Sequence, residues 1–392
     1  MDQHHAVVIG AGIGGLTAAA ALHRQGWAVT VLERSASLEP VGAGIALAPN
    51  ALRALDTIGL GAPVRELSAW QGDGGVRAPG GRWLARTDSA AAARRFGDPL
   101  VLLHRATFVD LLLGRLPAGT VRTATATALV RPGTQTEPAR VATPDEEIEA
   151  DLVIAADGVG SRVRGALFPG HPGPRFTGFT TWRMVVPGLG LRFPPHETWG
   201  RGLMWGSQPL KDGRVYAYAG ALAPAGEREA DERAGLLRRF GHWHRPIPRI
   251  LAAVDPAAVL RHDVRAMTVP LPAYHRGRTA LLGDAAHAMP PSLGQGGNQA
   301  VEDAVVLAHR LAAPATPVPE ALAAYTRDRL PRTTEVVRRS LKAARLTTLG
   351  SRPAVMARDA ALTAAHLLAP GLALRALDGV LDWTPPGGPD VA

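Results

Sequence analysis

The stretch Gly10-Ala11-Gly12-Ile13-Gly14-Gly15 constrains this chain more than any other. Ala6-Val7-Val8-Ile9 before it is a short apolar run that reads as a buried strand, and the alanine-rich run after it, to about Gln25, reads as a helix. A second apolar strand over 28–32 ends at Glu33. Strand, glycine turn, helix and strand in direct succession form a βαβ unit. In that unit Gly10 allows the tight turn, Gly12 lets the backbone approach a pyrophosphate, and Gly15, with Gly14 beside it, lets helix and strand pack closely. Glu33 stands where a carboxylate accepts hydrogen bonds from ribose hydroxyls. The unit predicts a site for the adenosine half of a dinucleotide; the alternative is a glycine-rich turn in some other α/β protein.

Two later stretches repeat the theme of a strand that ends in a turn. Asp151-Leu152-Val153-Ile154-Ala155-Ala156 closes on Asp157-Gly158, which alone reads as an ordinary turn. Residues 279–282 give another buried strand, ending at Gly283-Asp284. A Pro290-Pro291 turn follows, then a loop with glycines at 294, 296 and 297. From about Asn298 the apolar residues Ala300, Val301, Ala304, Val305 and Ala308 recur at helical spacing. A glycine loop opening onto a helix presents free backbone N–H groups and a partial positive charge, which favour an anion.

Together, in this order, the three motifs resemble those of the FAD-dependent aromatic-ring hydroxylases of the p-hydroxybenzoate hydroxylase family. The resemblance runs over residues 6–346 and includes Val41-Gly42-Ala43-Gly44-Ile45, Pro49-Asn50, and His104-Arg105 at a helix start. It is similar to the compact single-component members, such as the salicylate hydroxylase-like and FAD-dependent urate hydroxylase-like enzymes. The resemblance implies an α/β fold, with a Rossmann-like FAD-binding domain interleaved with a β-sheet substrate domain and C-terminal helices. It sets Arg34 and Arg105 near the adenosine or pyrophosphate, Gly44 beside the flavin ring, Asp157 and Gly158 against the cofactors, and Asp284 near the ribityl or pyrophosphate region. The backbone of Gly294, Gly296, Gly297 and Asn298 would face the charge of a reduced flavin. Some relatives carry an ionisable side chain before the Pro-Asn turn that serves as a base; here Ala46, Leu47 and Ala48 stand there, which leaves the deprotonating group open.

The expected division is a first FAD-binding part over 1–174, with 70–97 a candidate to join the substrate sheet, a substrate sheet over 175–273, a second FAD-binding part over 274–345, and helices and tail over 346–392. Within the sheet, strands are expected at 181–186, 202–205 and 214–220. Alternation puts Thr181 and Arg183 on one face and Trp182 and Met184 on the other, and likewise separates Tyr216 and Tyr218 from Val215 and Ala217. Arg183, Arg201, Tyr216 and Tyr218 are the candidates to bind or polarise a substrate, and Pro290 to shape the reaction pocket through its carbonyl; His287 is read as structural. A hairpin is expected over 131–149 and helices over 319–349 and 353–381.

The chain has 392 residues and no cysteine, so no disulfide and no thiolate metal site can form, and its histidines show no metal-ligand spacing. Its net charge of +9 comes from dispersed arginines, since Lys211 and Lys342 are the lysines. No nucleic-acid partner is expected. The late apolar stretch at 360–377 is interrupted by His366, Pro370 and Arg375, so no membrane span is expected either. With no signal peptide visible, the cytoplasm is the default location, for a monomer or a homodimer. The expected activity is that of an NAD(P)H- and FAD-dependent monooxygenase. With molecular oxygen it would hydroxylate a small aromatic or heteroaromatic substrate through a flavin C4a-hydroperoxide. A single dinucleotide fingerprint fits NADH or NADPH binding only transiently. The alternatives are an FAD-dependent oxidase or dehydrogenase on the same scaffold, and a flavoprotein that binds a ligand without turnover.

Overall fold

A computed structural model describes residues 3–38, 44–68, 73–313, 315–369 and 371–387. The central sheet has six strands in the order His275–Arg276, Thr279–Leu281, Leu152–Ala155, His5–Ile9, Ala28–Leu32, Val121–Arg122. All neighbours run parallel except the outermost pair, His275–Arg276 with Thr279–Leu281. Val8 lies between Ile154 and Val31, and Ile154 pairs in turn with Ala280. These strands are apolar at successive positions because both faces of a parallel sheet are covered. Their shared direction brings the three motifs to one edge, since Gly10, Glu33, Asp157 and Gly283 all follow the carboxyl ends of their strands. Ligands of open α/β sheets bind at that edge.

One face of this sheet carries the helices Ile13–Arg24 and Gln295–Leu311, which touch through residues too small to hold them apart. A Cβ on Gly14 would stand 2.4 Å from Leu282 and 3.1 Å from Ala300, and one on Gly15 would stand 2.0 Å from the Gly10 carbonyl. The expected helix start at Asn298 is corrected to Gln295, so Gly296 and Gly297 lie in the first helical turn. Gly294 in the left-handed region (φ 63°) turns the chain into that helix, a conformation available to glycine without strain. A four-residue helix, Asp284–His287, directly follows Gly283.

The second large sheet has seven strands in the order Leu260–Ala266, Arg175–Val186, Val215–Leu222, Leu203–Pro209, His196–Trp199, Gly74–Arg77, Trp83–Thr87. It is antiparallel except between His196–Trp199 and Gly74–Arg77. Trp182, Met184, Val215 and Ala217 point to one face and are buried with Trp205, Leu236, Phe240 and Ile250 beneath the helices Glu232–Phe240 and Ile247–Ala252. Arg183, Tyr216 and Tyr218 point to the other. A two-stranded ribbon, Gly44–Leu47 with Val101–His104, joins the sheets, for the Tyr216 ring lies against Gly44.

Residues 128–150 form three antiparallel strands where a single hairpin was expected. The expected last helix is two, Arg352–Leu368 and Leu372–Arg375, because Ala369, which precedes a proline, leaves the helical region at φ −147°. Val41, Gly42 and Ala43 lie outside the described residues, as does Trp70.

Candidate active site

The cleft at the carboxyl edge of the central sheet is built from glycines that face two ways. Gly10 and Gly15 are held against protein backbone, whereas a Cβ on Gly12 would meet nothing within 4 Å. That open space is what a pyrophosphate needs where the Ile13–Arg24 helix begins. Glu33 closes one end: its two carboxylate oxygens accept from the backbone N–H groups of Ala11 (2.8 Å) and Ser35 (2.9 Å), which aims it at the turn. Arg34 is exposed beside it. Asp157 takes the backbone N–H groups of Arg162 (2.9 Å) and Val163 (3.3 Å) on Oδ2, while its buried Oδ1 has no protein partner. Gly158, at φ 78°, has open space around it. Arg164, which no sequence motif pointed to, ties this turn to the next one. Its guanidinium donates to the carbonyls of Val159 (2.9 Å) and Ala285 (3.0 Å).

Asp284 faces the open cleft yet is hemmed in by protein, and its Oδ1 lies 3.8 Å from where a Cβ of Gly296 would be. That enclosure raises its carboxyl above the ordinary range, against the pull of His287, Arg105 and Arg183. Arg105, at the start of the Arg105–Leu113 helix, is its counterpart: burial and the nearby Arg183 lower its guanidinium, Asp284 supports it, and its buried Nε has no partner. Asn298 acts through its side chain. Oδ1 accepts from the Ala48 N–H (2.9 Å), and Nδ2 donates to the Ala46 carbonyl (3.0 Å) and the Gly294 carbonyl (2.7 Å). It thereby clips the Gly44–Leu47 strand to the glycine turn, with Gly297 against Ile45. Pro290 is buried just before the short 3-10 turn Pro291–Leu293.

Beneath the turn lies a buried ionic network that the sequence did not announce. Arg329 donates to Asp303 and Glu302, both at 2.6 Å, and Asn50 reaches Gln295 (3.0 Å) and Glu302 (2.6 Å). Burial opposes the charge on Asp303, but His287 and Arg329 more than offset it and hold the carboxyl at about 2. His287 meets Asp303 at 2.5 Å, and the same oxygen accepts the Gly283 N–H at 2.9 Å, so the pair pins the Gly283 turn.

Over the cleft stands the inner face of the seven-stranded sheet. Tyr216 is enclosed, and burial raises its phenol to about 12 although Arg183 works the other way. Tyr218 lies 5.5 Å from Tyr216 between ring centroids and directly across from Arg183 in the sheet. Arg183 reaches His262 at 3.4 Å, and its buried Nε lacks a partner. Arg201 is not brought here: it is exposed in the turn before Leu203, where Gly202 donates to the Leu349 carbonyl, because the turn projects past the end of the paired strands. Sequence reading also passed over Glu197, Gln208 and His262. No motif carries them, and only the pairing of distant strands sets them beside Tyr218 and Arg183. Among the described residues no group of three or more histidines, cysteines or acids could hold a metal ion, and no helix is long and apolar enough to cross a membrane.

The arrangement suits a flat dinucleotide. Gly12 leaves room for it, Asp157 Oδ1 and Arg105 Nε are buried groups in want of partners, and Gly44 and Gly297 keep the ribbon and the helix turn low. A family model described as FAD binding domain matches residues 3–340. Aurachin C monooxygenase/isomerase of Stigmatella aurantiaca is 37% identical, over 84% of this chain and 86% of its own. The 3-amino-4-hydroxybenzoate 2-monooxygenase of Streptomyces cremeus is 35% identical, over 90% of each. The structure of Klebsiella pneumoniae HpxO complexed with FAD and uric acid superposes with a TM-score of 0.85 at 28% identity, over 96% of this chain and 98% of that one. With its strand-end motifs converging on one cleft, the chain belongs to the FAD binding domain family and is an FAD-dependent monooxygenase of the aromatic-hydroxylase kind.

Proposed function

We propose that this protein hydroxylates an aromatic or heteroaromatic ring held between the cofactor cleft and the inner face of the seven-stranded sheet. The observation that carries the reading is the packing of the Tyr216 ring onto Gly44, which brings the inner face of the seven-stranded sheet against the ribbon beside the cleft. Bound FAD supplies the redox chemistry, taking reducing equivalents from NADH or NADPH and delivering one oxygen atom from O2 to the ring. The chain's own residues position and screen. Gly12 and the N-terminus of Ile13–Arg24 would take the pyrophosphate, and Glu33 a ribose. Asp157, Asp284 and Arg105 would contact hydroxyls and phosphate, while the N–H groups of Gly296 and Gly297 face developing negative charge at the ring. Arg183 and His262 offer hydrogen bonds to the polar edge of the substrate, and Pro290 with Tyr216 limits access of water to the reacting carbon. Either a monomer or a homodimer is compatible with this use of the site.

The test is NAD(P)H consumption by the FAD-loaded protein with a panel of hydroxylated aromatics and heteroaromatics, with peroxide measured in the same wells. Hydroxylation appears as strong stimulation with little peroxide. Stimulation with peroxide equal to the NAD(P)H consumed would replace the reading with an oxidase. Tight binding without stimulation by any compound would leave a ligand-binding flavoprotein.

A further inference from the structure

Glu197 occupies an unusual place for a carboxylate. It lies on the inner face of the seven-stranded sheet, closed in by protein, and Oε1 accepts the Tyr218 phenol at 2.6 Å while Oε2 accepts the Trp199 indole N–H at 2.7 Å. Among the described residues it forms no ion pair, in contrast to Glu302 and Asp303, which share Arg329. An enclosed carboxylate without a cation is costly in its ionised form, and such groups concentrate where a proton is handled. Burial accordingly raises its pKa, against the opposing pull of the two hydrogen bonds. The Tyr218 ring lies flat over Gly206, where a Cβ would stand 2.1 Å away, so the sheet holds that phenol in place. On its other side Tyr218 receives Gln208 Nε2 at 3.5 Å, and Gln208 Oε1 is buried without a partner. Arg183 is directly across the strand pair.

We infer that Glu197 is the acceptor of the substrate's proton, reached through Tyr218, and that the substrate is therefore a phenol or enol whose hydroxyl meets Tyr218 while the ring lies beside Arg183. The substrate O–H bond breaks with its electron pair left on the substrate oxygen, and the proton passes to the Tyr218 oxygen. The Tyr218 proton passes in the same movement to Glu197 Oε1. One negative charge thus leaves an enclosure without a cation and arrives near two guanidiniums, Arg183 and Arg105, each with a buried, unpartnered Nε. The pair returns the proton when the product leaves as a neutral hydroxyl. This fills the role left open by Ala46, Leu47 and Ala48, which cannot ionise. The charged or titratable groups around Glu197 are Tyr218 and, next to it, Tyr216 and Arg183 in the sheet; from the last long helix Arg358 packs over Trp199 at 5.6 Å, already paired with Asp359. Val76 on the neighbouring strand is apolar.

The inference rests on the hydroxylase reading and is tested apart from turnover, with 4-nitrophenol as the probe and its phenolate absorbance as the readout. FAD-loaded protein is titrated with the probe across pH 5 to 9. The wild type should bind it as phenolate well below the pH at which the free compound ionises. Glu197→Gln and Tyr218→Phe should each move the ionisation midpoint of the bound probe upward by about one pH unit or more. Tyr218→Phe serves if Glu197→Gln does not fold. A midpoint unchanged in Glu197→Gln, with the shift lost only in Arg183→Gln, would overturn the inference in favour of plain electrostatic stabilisation by Arg183. Binding of the neutral phenol alone, or no binding, would also overturn it. Hydroxylation of rings without an acidic hydroxyl would sink this inference while the hydroxylase reading stands, whereas absence of NAD(P)H stimulation by every aromatic would sink that reading itself.

Discussion

Two glycines a few positions apart do opposite work, and substitution should separate them. Gly15→Ala puts a methyl 2.0 Å from the Gly10 carbonyl, so the helix must move off the sheet. The apoprotein should lose roughly 1–3 kcal/mol, seen as a lowered melting temperature before any cofactor is added. Gly12→Ala meets nothing in the protein within 4 Å. Apo stability should change by no more than about 1 kcal/mol, while FAD affinity, followed by flavin fluorescence, should fall about tenfold or more. Equal losses of stability in the two variants would contradict the reading of Gly12 as ligand-facing. At this scale the sequence was legible where a backbone needs a particular residue: Gly10, Gly12, Gly15 and Glu33 follow from the geometry of one βαβ unit. It was blind to Glu197 and Arg164, whose meaning depends on partners 21 and 121 positions away. Arg201 shows the converse, a side chain of suitable chemistry one turn outside the paired strands.

At the scale of elements, strands and helices were read well where one periodicity ruled, as in 28–32 and in the alternation around Arg183 and Tyr216. Reading faltered where tertiary contact decides. The Gln295–Leu311 helix begins three residues early because Gly294 turns the chain and Asn298 clips the first turn to the neighbouring ribbon. The sheet offers a pH test. His196 is packed between Trp83 and Phe193, and burial, with Arg77 and His244 nearby, depresses its imidazole from 6.5 to about 4. The unfolded chain then binds the proton better than the folded one, so this group's contribution is present above pH 6.5 and drains away as the pH falls toward 4. The loss should approach about 3 kcal/mol. Urea unfolding of the wild type and of His196→Phe at several pH values checks it: the variant should lack that share of the acid sensitivity. Between the Gln295–Leu311 and Val318–Thr347 helices, Arg329→Met removes the guanidinium that Glu302 and Asp303 share and should cost about 3–5 kcal/mol, measured by the same titration. A loss under about 1 kcal/mol would show that Arg332, which pairs with Glu302 at 2.6 Å, and His287 suffice.

Across the whole molecule, the C-terminal segment acts as a strap. Arg53 donates to the Trp383 carbonyl at 2.9 Å and Arg95 pairs with Asp378, both on the cofactor side. Arg358 donates to the carbonyls of Trp199 (3.2 Å) and Gly200 (3.3 Å) at the end of the seven-stranded sheet. A chain ending at 350 should therefore melt in two separate steps, where the 392-residue chain melts in one, as calorimetry would show; a single transition in both would deny the strap this role. Chain organisation was legible to the extent that motifs mark strand ends. The path of the strap was not, because main-chain carbonyls receive most of its bonds and any sequence provides those.

The Gly283 turn has a consequence in time. Its strand pairs with Leu152–Ala155, which pairs with His5–Ile9, and the network under it draws on Asn50, Glu302 and Arg329. During synthesis the glycine turn that opens the chain emerges from the ribosome first and waits, half a cradle, until nearly three hundred further residues have been added. With FAD held as proposed between both turns, its capture falls late in the life of each molecule, and free FAD added after synthesis should load the protein as fully as FAD present during it.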